Sequence, residues 1–147
     1  MKKLIPFLAF FCLFLSSCTP NQDAEVAAIT HVLEKESATW RAGDSAAHAA
    51  CWQERRYNKI LISTADGNSF EVPAAAIIHP NPTKMGKGGS SKNSNYQYAL
   101  RGETAWVTHD ETSISADGIV SKSKELRILE KVNGHWKLVG QSIHMLK

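Results

Sequence analysis

Residues 125–139 read ELRILEKVNGHWKLV, two runs of alternating apolar and polar residues joined by Asn133-Gly134. Both turn residues tolerate positive φ, so this pair between alternating runs is the strongest hairpin signal in the chain. A two-residue loop there sets Val132 opposite His135. Counting back, Arg127 falls opposite Gly140, Glu125 opposite Ser142 and Ser123 opposite His144. Asp117-Gly118 is the next turn signal. With Ala116-Asp117-Gly118 as a three-residue loop, Ser115 pairs with Ile119, and His109 lies opposite Glu125, Val107 opposite Arg127 and Ala105 opposite Leu129. Segments 96–101, 104–115, 119–131 and 135–146 then form one β-meander.

Side chains on such strands alternate faces with period two. One face carries Ala105, Val107, His109, Glu111, Glu125, Arg127, Leu129, Trp136, Leu138, Gly140 and His144. The other carries Trp106, Thr108, Asp110, Leu126, Ile128, Val139, Gln141, Ile143 and Met145. The first face joins an apolar floor to His109, Glu111, Glu125, Arg127 and His144, which is the composition of a ligand cleft. Left in solvent, the same five groups would be ordinary ion pairs worth roughly 0–1 kcal/mol each. A one-residue slip in either turn would flip a strand and dissolve the cluster. The second face reads as a surface for a partner subunit or another layer.

Ahead of the meander, residues 23–42 have helical periodicity, with Val26, Ile29, Leu33 and Trp40 near one stripe. Asn21 or Asp23 can cap this helix and Gly43 ends it; Asp44 or Ser45 starts a short alanine-rich helix over 46–52. Residues 59–64 and 69–72 are β-favouring around the turn Asp66-Gly67-Asn68, and Pro73 opens a short helix through Ile78. Trp40, Trp52 and Tyr57 come from this side and are placed either to cap the cleft or to fill the core. Residues 80–95, rich in Gly, Ser, Lys and Pro, have little apolar surface to offset ordering and read as a long mobile loop.

At the N-terminus, Lys2 and Lys3 precede an apolar run from residue 4 to 15 that is too short for a bilayer span. Leu15-Ser16-Ser17-Cys18 resembles a bacterial lipobox, which implies a signal peptide over 1–17, a lipidated Cys18, a short tether over 18–22 and a domain over 23–147. The expected location is the cell envelope, with the domain anchored to a membrane by its N-terminal lipid, facing the periplasm or the surface. The formal charge of +3 falls to +1 once Lys2 and Lys3 leave, and no basic stripe interleaved with aromatics suggests nucleic acid. Cys12 lies in the signal and Cys18 carries lipid, so Cys51 has no disulfide partner and reads as a buried hydrophobe.

Trp40-Arg41-Ala42-Gly43-Asp44, residues 104–111 (TAWVTHDE) and residues 125–139 resemble the nuclear-transport-factor-2-like superfamily, which includes SnoaL-like and ketosteroid-isomerase-like domains. The resemblance covers most of 23–146. It implies an α+β fold, a cystatin-like roll in which a curved sheet wraps the N-terminal helices into a cone with a pocket at its open end. It also implies a homodimer formed through the outer sheet face. Such folds host isomerases, dehydratases and non-catalytic binders alike, so function must come from the site. His109 beside Glu125 has the form of a general base with an orienting carboxylate, as in dehydratase-like members. The Asp base and Tyr and Asp donors of ketosteroid-isomerase-like sites have no match here. The histidines at 31, 48, 79, 109, 135 and 144 lack His-Glu-x-x-His spacing, and no nucleophile or phosphate-loop motif is present, so no metal or cofactor is expected. The first reading is a non-catalytic module for a small or apolar molecule. The others are a His109–Glu125 enzyme acting on a cyclic or polyketide-like substrate, and an envelope assembly module docking through Trp106.

Overall fold

The apolar stripe of Ile29, Leu33 and Trp40 builds the first helix, α1 (Gln22–Ala42), with Asp23 and Glu25 in its first turn and Arg41 in its last. Those charges complement the helix dipole at both ends. The computed structural model describes residues 22–147, so the signal, Cys18 and the capping position Asn21 lie outside the described residues. Gly43, at φ +72°, turns the chain, and the Asp44 carboxylate accepts from the Ala47 amide to start α2 (Ser45–Ala49). This helix stops three residues short of the expected end. Residues 51–53 instead bond to the last strand, Leu138 N to Cys51 O at 2.9 Å and Gln53 N to Leu138 O at 2.8 Å.

Strands β1 (Lys59–Ser63) and β2 (Ser69–Glu71) form the first hairpin, followed by α3 (Ala74–Ile78) and a 3₁₀ turn over Pro82–Lys84. Then come β3 (Ser90–Arg101), β4 (Thr104–Ile114), β5 (Val120–Val132) and β6 (His135–Met145). The six strands make one curved, unclosed sheet in the order β2-β1-β6-β5-β4-β3, antiparallel throughout except where β1 runs parallel to β6. The expected mobile loop over 80–95 is corrected. Residues 90–94 are ladder-paired with 110–114, and the Gly86 and Gly88 amides donate to Trp40 O and Arg41 O at 3.1 and 2.8 Å, closing the end of α1. Backbone pairing orders this polar segment; edge strands characteristically carry such residues.

Registers at both turns match the sequence reading close to the turns. Asn133 and Gly134 sit at φ 50° and 80°, and Val132 faces His135. The β4–β5 register holds along its whole length, with His109 opposite Glu125 and Val107 opposite Arg127. The β5–β6 register does not. A bulge at Val139 shifts it by one, so Arg127 faces Gln141, Glu125 faces Ile143 and Ser123 faces Met145. A second bulge, at Asn95-Tyr96 opposite His109, does the same to β3. The hydrocarbon core fills the α1 N-terminal end of the cone, where Ile29, Ile60, Leu129 and Leu138 are fully buried. Each contributes about 1.5–3 kcal/mol by leaving water.

Candidate binding site in the cone mouth

Beyond Leu33 the apolar stripe of α1 is interrupted by Glu36 and Ser37, both buried, before it resumes at Trp40. That interruption opens the core. A cavity of about 260 Å³ lies there, slightly below the roughly 300–1,000 Å³ of drug-sized sites. Trp40, Ile62, Ile77, Ile143 and Met145 supply its apolar side, while Glu111, Ser123, Glu125, Arg127 and Gln141 face them from β4, β5 and β6.

Arg127 organises the polar side. Its Nη2 donates to Glu125, and its Nη1 donates to Gln141 and, at 3.4 Å, to Glu36 Oε2. Ser123 Oγ donates to the other Glu125 oxygen at 2.8 Å. Burial alone would lower the basicity of Arg127, but the charges of Glu125, Glu36 and Glu111 outweigh it and hold the guanidinium more firmly protonated than usual. Glu111 is different. Burial and the Glu125 charge raise its carboxyl above the ordinary range, against the pull of Ser37, Arg127 and Arg41. Its Oε2 accepts from Ser37 Oγ at 2.9 Å, and that hydroxyl accepts from Arg41 Nη1 at 2.8 Å. Glu111 is therefore the carboxyl most responsive to a donor entering the cavity.

No established family pattern matches the sequence, and no curated protein does. Solved structures do match. An NTF2-like protein of unknown function from Shewanella baltica OS155 superposes with a TM-score of 0.60 at 20% identity, over 85% of this chain and 96% of that one. A candidate dehydratase of the NTF2-like family from Streptomyces avermitilis gives 0.66 at 10% identity, over 86% and 99%. A candidate scytalone dehydratase from Novosphingobium aromaticivorans DSM 12444 gives 0.63 at 15% identity, over 86% and 87%. The fold is NTF2-like. Identities this low fix the architecture alone.

Within the NTF2-like cone, Glu111, Glu125, Arg127 and Trp40 come together as the sequence suggests. His109 shares their sheet face but does not line the cavity. It is buried against Tyr96, ring centroids 5.1 Å apart, with Nε2 3.8 Å from Glu125 Oε2 and neither ring nitrogen hydrogen-bonded. Burial and the Arg127 charge lower its pKa below the ordinary histidine value, although Glu125 pulls the other way. His144 is corrected. The Val139 bulge turns it to the outer face, exposed opposite Lys124, and gives its expected place to Gln141, Ile143 and Met145. Trp52 is core, 5% exposed, and Tyr57 is 57% exposed with its hydroxyl on Glu130, so neither caps the mouth.

Sequence reasoning missed Glu36, although three residues after Leu33 and four before Trp40 is a core position. It also missed His48. That ring is fully buried in α2, its Nε2 2.9 Å from Ile77 O and its Nδ1 3.3 Å from Glu36 O, tying three helices beneath the cavity. Among the described residues, no group of three or more His, Cys, Asp or Glu side chains is arranged to hold a metal.

Proposed function

We propose that this chain is an envelope lipoprotein whose NTF2-like cone binds a small, partly apolar molecule without transforming it, as a homodimer. One observation carries the reading: the cavity sets an apolar side built around Trp40 against a polar side that includes the half-buried Glu111 carboxyl, raised above its ordinary range by burial and the Glu125 charge. A ligand with a hydrocarbon body and a hydroxyl or amine donor satisfies both sides. The other polar groups already hold one another, since Arg127 engages Glu125, Gln141 and Glu36. A thermal-shift panel of metabolites, lipids and steroids should raise Tm for one chemical class. That shift should vanish in Trp40→Ala and weaken in Glu111→Gln. A panel with no shift at all would remove the proposal.

The enzyme reading keeps one observation in its favour, a protonatable Glu111 inside the cavity. It would use Glu111 for proton transfer more readily than His109–Glu125, because His109 does not line the cavity and both Glu125 oxygens are engaged. Turnover of a cyclic or polyketide-like substrate, abolished by Glu111→Gln, would establish it in place of simple binding. Turnover lost in His109→Ala but kept in Glu111→Gln would instead restore the histidine pair.

A further inference from the structure

A second groove, of about 350 Å³, runs along α1 from Ala24 to Lys35, between the helix and the β5–β6 hairpin. Its floor is apolar, made by Ala28, Val32, Cys51 and Trp136. Its rim carries the ammonium groups of Lys35, Lys131 and Lys137, the last donating to Ala50 O, with His31 and His135 beside them. Among the described residues Glu25 is the single acid lining it, and it is engaged by Lys131 Nζ at 2.6 Å and Trp136 Nε1 at 2.7 Å. An apolar trough with a positive rim matches an amphiphilic anion.

Position identifies which anion. The groove begins at Ala24, in the first turn of α1. Only four residues carry the chain from Cys18 to Gln22, a reach of about 15 Å when fully extended. A lipid on Cys18 therefore holds this groove at the headgroup layer. The groove runs along α1 as far as Lys35, and Trp40 in the cavity lies five residues beyond it on the same helix, about 7.5 Å at 1.5 Å per residue. From these positions we infer that the groove is a seat for anionic phospholipid, with the headgroup phosphate among the lysines and the first acyl carbons on the floor. The inference rests on the lipoprotein reading for its geometry, but the groove can be tested apart from the anchor.

The processed chain, residues 18–147 with Cys18→Ser and so without acyl groups, is titrated against vesicles of phosphatidylcholine alone or with about one third phosphatidylglycerol. Binding is expected only to the anionic vesicles and should fade with salt. Each lysine at such a surface gives roughly a five-fold gain in partitioning, so Lys35→Gln with Lys137→Gln should weaken binding on the order of 25-fold. Lys84→Gln with Lys87→Gln, beyond the far end of α1, should leave it unchanged. Circular dichroism melting of both double variants checks that the fold persists. Equal binding to both vesicle types, equal loss in both double variants, or protection by inorganic phosphate without vesicle binding would overturn the inference. Mass spectrometry of Cys18 in the native envelope reads the anchor separately. An unmodified cysteine there, with anionic binding intact, would remove the anchor and leave the groove.

Discussion

Arg127 is 5% exposed and surrounded by the buried Glu36 and Glu125 and the half-buried Glu111, so its charge balances carboxylates largely withdrawn from water. Arg127→Met should lower stability by about 3–5 kcal/mol, because an uncompensated buried charge is far more costly than a missing pair. Arg127→Met with Glu125→Met should recover part of that loss in urea denaturation, and the non-additivity measures the coupling. The two titratable neighbours act in opposite directions. The folded pKa of His109 is depressed, so the unfolded chain binds the extra proton first, and stability falls as pH drops through the usual histidine value of about 6.5. His109→Gln should flatten the denaturation midpoint between pH 7.5 and 5.5. The folded pKa of Glu111 is raised, so its contribution is present at low pH and is lost as pH rises through that value. Glu111→Gln should thus stabilise the protein at pH 7 while weakening ligand binding. A loss of stability at pH 7 would show that the carboxylate belongs to the fold and not to the site.

At the level of elements, two bulges decide which side chains see the cavity. In β6 the extra residue is Val139. Its carbonyl leaves the β5 ladder and accepts from Asn58 Nδ2 at 2.7 Å, at the point where β6 changes neighbours from residues 51–53 to β1. Nothing local to Leu138-Val139-Gly140 specifies that exchange except the glycine, a residue that often marks a bulge within a strand. Asn133-Gly134 and Asp117-Gly118 were legible because their turn chemistry is local. His144 was misplaced because a distant asparagine and strand set its register. Residues 90–95 escaped for the same reason, since composition reports hydrophobicity and not available backbone partners. The loop beside them gives a clean test. Gly89 lies at φ +94°, and an added Cβ would sit 2.1 Å from Ile114 O, whereas Gly67 at φ +95° has nothing within 4 Å. Gly67→Ala should cost roughly 1–2 kcal/mol from left-handed strain alone. Gly89→Ala should cost more and loosen the β3–β4 end of the sheet, read by hydrogen exchange at residues 90–94. Equal costs would mean that the close approach to Ile114 carries no constraint.

Across the whole molecule, the two faces of the sheet do different work. The inner face is divided between hydrocarbon and the polar cavity. The outer face presents Ala99, Trp106, Ile128 and Gly140 as direct cross-strand neighbours on four consecutive strands, with Trp106 51% and Ile128 40% exposed. Gly140 keeps that row flat, because a Cβ there would press on Lys59 O at 3.2 Å and Ile128 Cδ1 at 3.4 Å. A contiguous exposed apolar row suits an interface, and in the proposed homodimer a second copy meeting it face to face would place Trp106 against its own equivalent. Light scattering should then report a dimer that Trp106→Asp converts to a monomer with unchanged circular dichroism. Because the cavity opens on the opposite side of the sheet, that monomer should keep the thermal shift given by any ligand of the native chain. A variant that stays dimeric would place the interface elsewhere. A monomer that loses the ligand response would mean that the two faces communicate through the strands, and that the partner copy shapes the cone mouth.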